Sequence, residues 1–154
     1  MGLAFWLEQA GFSYVTVVPA IWVKSNKRQG IIGDPRKGMI VSYEAFIFAS
    51  KGDAVLLKQG KQDIFVFDTL NPNERDFAMQ MPPDLCGEII SMVTLGGGRI
   101  LDPFAGVGSI GQGALDYQCE YVGYELDNKR AEIGNMILAE HVHAKGKTDE
   151  GQED

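Results

Sequence analysis

The chain has 154 residues, 45% of them hydrophobic and 23% charged, and a formal net charge of -7. That length and balance suit one cored domain and exclude a disordered or collagenous chain. No apolar run approaches the roughly 20 residues that cross a bilayer, and no basic stretch precedes an apolar one at the N-terminus, so no membrane association and a cytoplasmic location are expected. The acidity also excludes an all-over nucleic-acid coat, because phosphate binding needs concentrated positive charge. Positive charge is segmental instead: Lys24, Lys27, Arg28, Arg36 and Lys37 face the single acid Asp34 in their stretch, while the end from Lys147 onward is acid-rich. Cys86 and Cys119 show no CxxC or Cys/His spacing. They read as buried apolar residues, with no metal or disulfide expected.

Taken in chain order, Leu3 to Ala10 reads as a short helix closed by Gly11. Tyr14 to Val23 is strand-like, with Pro19 marking an edge or bulge. Ser25 to Met39 contains Gly30, Gly33, Gly38 and Pro35 and reads as a loop. Ile40 to Ala49 is a second strand-like run, pairing with the first as a long-looped hairpin. Val55 to Leu57 and Ile64 to Phe67 are two further short strand candidates. Thr69 to Met81 is a connecting loop with turn chemistry at Asn71-Pro72-Asn73. Pro82-Pro83 suits a helix start, and Leu85, Ile89, Ile90 and Val93 follow at helical spacing up to Gly96-Gly97-Gly98. Arg99 to Leu101 begins a buried strand, Gly106 to Tyr117 is a glycine turn running into a helix, Glu120 to Leu126 is a strand, and Lys129 to about His141 is a helix. This order is one half of a doubly wound α/β sheet. Trp6 and Trp22 are expected in the core, and His141 and His143 as spectators on a fraying helix end.

Asp102-Pro103-Phe104-Ala105-Gly106-Val107-Gly108-Ser109 leaves a strand and enters a helix, which places it at the carboxyl end of the sheet, where such folds bind ligands. Gly106 and Gly108 let the main chain approach a ligand closely. Glu125 ends the next strand, where a carboxylate accepts both hydroxyl hydrogens of a ribose. A nucleoside-containing ligand explains both features. Gly106-Val107-Gly108-Ser109-Ile110-Gly111 also satisfies the dinucleotide GxGxxG pattern. Asp102, however, would set a carboxylate near a diphosphate, whereas S-adenosylmethionine (SAM) brings an amino group and a sulfonium for it to attract.

At these residues the chain resembles the SAM-dependent DNA amino-methyltransferases that modify adenine N6 or cytosine N4, in the group whose catalytic motif precedes the SAM motif. Asp102 to Ser109 resembles the family's DPFAGSGT, departing at Val107 and Ser109, and Tyr121-Val122-Gly123-Tyr124-Glu125-Leu126-Asp127 resembles its next strand. Met81-Pro82-Pro83-Asp84-Leu85 resembles the P-x-x-L helix start that helps close the SAM pocket, with Met81 where many members have lysine. Trp22-Val23-Lys24, Glu44-Ala45-Phe46-Ile47-Phe48 and Lys51 resemble the hairpin that follows the catalytic motif. The resemblance implies a partial Rossmann-like methyltransferase fold, α/β and three-layered, with an incomplete mixed sheet. It implies SAM as cofactor and Pro82, Asp102, Phe104, Ala105, Gly106, Gly108, Ser109, Glu125 and Asp127 as its contacts, although Asp127 or Asn128 also suits a helix cap. DNA is the implied partner, in site-specific modification of the restriction-modification kind. Lys24, Lys27, Arg28, Arg36 and Lys37 are the candidate DNA contacts, set against the ordinary reading of a solvated loop.

The family's D/N/S-P-P-Y/F loop, whose polar groups hold the target amine and whose ring stacks on the flipped base, has no counterpart here, so no catalytic residue is assigned. Met81-Pro82-Pro83-Asp84 lacks the flanking polar and aromatic residues, and Asp34-Pro35-Arg36-Lys37 continues with basic ones. In the family's order the loop belongs upstream of Met1, on strands that sit mid-sheet, so their absence leaves sheet edges to close directly or to be filled by a second polypeptide. The expected organisation is the C-terminal portion of a methylase domain over 1–142, made of a helix and hairpin region at 3–68 and a SAM-binding half at 82–142, with a disordered tail at 143–154. The expected function is the SAM-holding part of a truncated or split DNA methyltransferase. Alternatives are an inactive SAM-binding module and, behind it, a dinucleotide-dependent oxidoreductase.

Overall fold

Pro19 cannot donate to a strand ladder, and the apolar run from Tyr14 to Val23 breaks around it into β1 (Tyr14–Val15) and β2 (Ala20–Lys24). The computed structural model describes residues 2–25, 36–39, 41–71, 73, 75–77 and 79–149, the side chains of 146–149 excepted. It divides into two compact units, Met1–Thr69 and Leu70–Asp154.

In the first unit, α1 (Leu3–Gln9) closes at Gly11, whose φ of +84° takes the chain out of the helix. The second apolar run forms β3 (Tyr43–Phe46) and β4 (Ala49–Ser50). β2 and β3 pair antiparallel with Trp22 opposite Glu44, the expected hairpin, and β1 pairs antiparallel with β4. Ile64 to Phe67 forms β5 and lies parallel to β2, Trp22 beside Phe65, giving a mixed sheet in the order β3-β2-β5. Val55 to Leu57 is not a strand. It lies between Gly52 and Gly60, both at positive φ, in a segment with no ladder partner. Trp22 and Phe65 are buried on one face of this sheet, with Phe46 stacked 5.3 Å from Phe65. The Trp22 indole donates to the Phe67 carbonyl at 2.9 Å. Trp6 is 61% exposed rather than part of the core. The seven-residue α1 buries none of its side chains, and Trp6 packs edge-on against Phe5 instead.

The second unit runs α2 (Pro83–Ser91), β6 (Arg99–Asp102), α3 (Ser109–Asp116), β7 (Glu120–Gly123) and α4 (Asn128–Asp149). Pro82 occupies the N-cap of α2 and Pro83 its first turn, where a missing N–H costs nothing, and Asp84 faces the positive end of the helix dipole. The helix ends at Ser91, short of the glycines, because its last turn tightens: Met92 and Val93 donate to carbonyls three residues back. β6 and β7 pair in parallel through the α3 crossover, Leu101 beside Val122 and Asp102 beside Gly123. Ile90, Ala114 and Cys119 form a buried core under Ile100, Ile110, Tyr117 and Tyr121. Cys86 and Cys119 are free thiols, and both are buried.

α4 continues beyond His141 to Asp149, and 150–154 lie outside the described residues. The Asp116 carboxylate at the end of α3 meets this part of α4: His141 Nε2 lies 2.8 Å from it and Lys145 Nζ 2.5 Å. Burial would raise the Asp116 pKa, but these two partners outweigh it and hold the group below its ordinary value.

α2 and α3 cross at Gly87 and Gly113. A Cβ on Gly113 would lie 2.7 Å from the Gly87 nitrogen and 3.0 Å from the Cys86 carbonyl carbon, both backbone atoms. Gly113→Ala should therefore destabilise the fold by about 1–3 kcal/mol, as overpacking against an unyielding backbone does. Denaturant unfolding measures it, and a midpoint unchanged from the parent contradicts the crossing.

Candidate functional site

The parallel β6-β7 pair delivers two chain ends side by side, and main-chain bonds keep them together past the sheet. The Tyr124 N–H donates to the Asp102 carbonyl and the Ala105 N–H to the Tyr124 carbonyl, both at 2.8 Å. The turn from Pro103 to Gly108 then needs two residues at positive φ, met by Gly106 (+55°) and Gly108 (+87°). Their surroundings differ. A Cβ at Gly106 would meet nothing within 4 Å, which leaves open space against its main chain, whereas one at Gly108 would press on Leu138 at 3.3 Å. Gly106 thus offers the approach to a ligand, and Gly108 starts α3 close beneath α4.

Glu125 closes the turn. Its Oε2 accepts the Gly106 N–H at 2.8 Å and its Oε1 the Asp127 N–H at 2.9 Å. The Asp127 N–H is the main cause that holds this carboxyl below its ordinary pKa of 4.5, and with the Gly106 N–H and the Arg130 charge it outweighs partial burial. A carboxylate oxygen can accept two hydrogen bonds, so each retains capacity for a further donor, as vicinal hydroxyls of a ribose would require.

Asp102 is turned inward at 5% exposure. Its Oδ1 accepts the Phe104 N–H at 3.0 Å and its Oδ2 the Tyr121 hydroxyl at 3.1 Å. Any attraction for a cationic ligand therefore acts through its field beneath the turn. That field is felt nearby: burial first and Asp102 second raise the Cys86 pKa to about 12 and push the Tyr121 phenol upward. Gly123 makes room for this bond, since a Cβ there would lie 2.6 Å from the Tyr121 hydroxyl and 2.9 Å from the Ala105 methyl. Tyr121 lies within the second motif without an expected role; the signal for one is the alternation on β7 that sets it on the same face as Gly123.

Ala105 stands half-buried beside Gly106, whereas Ser109 and Pro82 are buried at the starts of α3 and α2. Phe104 is 88% exposed, not core, because the Asp102 bond to its N–H folds the turn with the ring outside. Asp127 caps α4: its Oδ1 accepts the Arg130 N–H at 3.0 Å. Arg130 and Phe77 also belong to this rim, with the guanidinium 4.5 Å above the Phe77 ring. No sequence motif signals that contact. Of the basic residues, Lys24 is engaged within the sheet, 2.7 Å from Glu44 and 5.1 Å from the Trp22 ring centroid, so it is not a solvent-facing cation. Arg36 and Lys37 are exposed, and Lys27 and Arg28 lie outside the described residues.

The depressed Glu125 pKa fixes a sign. A carboxylate with a lower pKa in the folded state stabilises it fully above the unfolded value and loses that contribution as pH falls through the folded value. Glu125→Gln should therefore lose less stability than the parent on acidification below pH 4.5, with parallel profiles above it. Thermal melts at intervals between about pH 2.5 and about pH 7 check this; identical acid limbs contradict it.

The family model described as DNA methylase matches residues 4–136. Among solved structures, M1.HpyAVI in complex with SAM matches with a TM-score of 0.72 at 22% identity, covering 88% of this chain and 67% of that one. A candidate DNA modification methylase from Thermus thermophilus, complexed with S-adenosyl-L-methionine, matches at 0.60 and 20% identity, covering 91% and 58%. The cytosine-N4-specific PvuII DNA methyltransferase matches at 0.57 and 16%, covering 79% and 56%. The chain thus spans 56% to 67% of the length of these three structures. No curated protein matches it. Since the family model runs from α1 into α4 and takes in the whole Asp102 to Asp127 site, the chain belongs to the N6-adenine and N4-cytosine DNA methylase family.

Proposed function

We propose that this chain is the donor-holding part of a SAM-dependent DNA methyltransferase acting on adenine N6 or cytosine N4, a truncated or split enzyme whose catalytic D/N/S-P-P-Y/F loop lies outside these residues. The observation that carries the reading is the Gly106 N–H bonded to Glu125 beside open space at Gly106. In this arrangement Glu125 receives the ribose hydroxyls, the Gly106 main chain lines the nucleoside, and Asp102 beneath the turn biases the site toward the positively charged donor. Ala105 and Phe104 flank the ligand, while Gly108, Ser109 and Pro82 shape the site from behind. SAM bound there supplies a methyl group activated by its sulfonium. The chain's own residues fix the donor's position, which is the part of catalysis that proximity supplies. The amine acceptor and its proton are handled by the missing loop.

Two bare sheet faces support the need for further polypeptide. Ile64, Val66 and Tyr43 lie on the face of the β3-β2-β5 sheet opposite Trp22 and are exposed, and so are the register partners Leu101 and Val122 on β6-β7. Parallel strands are ordinarily covered on both faces. DNA contact by Arg36 and Lys37, joined by Lys27 and Arg28, completes the proposal, together with a cytoplasmic setting. Among the described residues no helix is long and apolar enough to cross a membrane.

Calorimetry should find that the chain binds SAM but not NAD, and that Gly106→Leu and Glu125→Ala each abolish binding. Incubated with DNA and methyl-labelled SAM, the chain alone should transfer no label, and a polypeptide carrying the catalytic loop should restore transfer. NAD binding in place of SAM overturns the donor site. Robust methylation by the chain alone overturns the division of labour, and donor binding that no loop-bearing polypeptide converts into transfer favours an inactive SAM-binding module.

A further inference from the structure

Arg130 joins three parts of the second unit. Its Nη1 lies 3.9 Å from Glu125 Oε1 and its Nη2 3.9 Å from Asp127 Oδ2. Its guanidinium carbon stands 4.5 Å above the Phe77 ring, and its backbone N–H is tied to the Asp127 cap. Phe77 in turn sits in a small loop fastened by Gln80: the Gln80 N–H donates to the Phe77 carbonyl at 3.1 Å, and its side-chain oxygen accepts the Asp76 N–H at 2.8 Å. The loop runs directly into Pro82 and α2.

We infer that Arg130 is a positioning residue for the donor's nucleoside, a strut that orients the Glu125 carboxylate and draws Phe77 to the rim of the site. This rests on the donor-site reading above. At 3.9 Å the guanidinium lies beyond hydrogen-bond length, so it acts on Glu125 through charge and leaves the carboxylate's spare lone pairs to the ribose hydroxyls. Two acids at one rim repel each other, and a cation between them offsets that repulsion. The aromatic stack supplies what charge alone lacks, because a planar guanidinium on a ring face has a fixed orientation while an exposed ion pair does not. Arg130 therefore acts on the nucleoside half of the ligand and not on the methionine half.

The test is calorimetry on the full chain with two ligands, SAM and adenosine, using R130M, R130K, Phe77→Leu and the R130M/F77L pair. R130M should weaken both ligands by the same factor, about tenfold, the scale of one lost cation–π contact with its orienting effect. F77L should weaken both as well, R130K should recover only part of the loss, and the double variant should bind within about twofold of the weaker single variant, as non-additive partners do. The ligand-free melting temperature should fall by no more than about 4 °C, the cost of one such contact in a chain of this size. Unchanged affinity in R130M, strict additivity in the double variant, loss confined to SAM, or a weakening that tracks a fall in ligand-free melting temperature each overturns the inference. Failure of the parent chain to bind SAM overturns the donor-site reading and this inference with it.

Discussion

The hydrogen bond from the Gly106 N–H to Glu125 spans 19 residues and sets the geometry on which the site depends. It fixes the glycine turn to the chain that leaves β7, and so ties the α3 N-terminus to the acid. A backbone donor can reach a carboxylate there because Gly106 takes a left-handed φ. The Asp127 N–H, at the start of α4, is the main cause that holds the Glu125 pKa below its ordinary value. One acid therefore couples a turn, a strand end and a helix start.

A second layer holds this arrangement from below. Asp102 binds the turn through Phe104 and β7 through Tyr121, and Gly123 leaves the space that lets the phenol through. A buried carboxylate is tolerated only when hydrogen-bonded, and these two donors meet that condition. The motif's aspartate thus serves the shape of the turn directly and the ligand only through its field. That sharpens the contrast between a cationic donor and a diphosphate: family membership, more than a reaching carboxylate, separates them.

Contiguous chemistry was legible in the sequence. Pro82-Pro83 marks a helix start, Gly106 and Gly108 mark a turn at positive φ, and Glu125 follows at the next strand end, because each signal is local to a few residues. The hairpin of β2 and β3 was legible for the same reason, through β-rich runs on either side of a basic loop. What stayed hidden depends on partners far apart in the chain. The parallel pairing of β2 with β5 joins residues with no helical crossover pattern between them, and Val55 to Leu57 looks like a strand but has no partner. Trp6 looks like core until α1 proves too short to bury it. The contact of His141 with Asp116 joins α4 to another helix, and the Phe77 to Arg130 stack has no sequence period at all.

If the Gly106 turn and Glu125 together hold the nucleoside of SAM, an amide-resolved NMR titration of the isotope-labelled chain will show it. The Gly106 and Asp127 amides, the two donors to Glu125, should shift first and saturate at one common concentration of SAM. Saturation of amides elsewhere, with Gly106 and Asp127 unmoved, would contradict it.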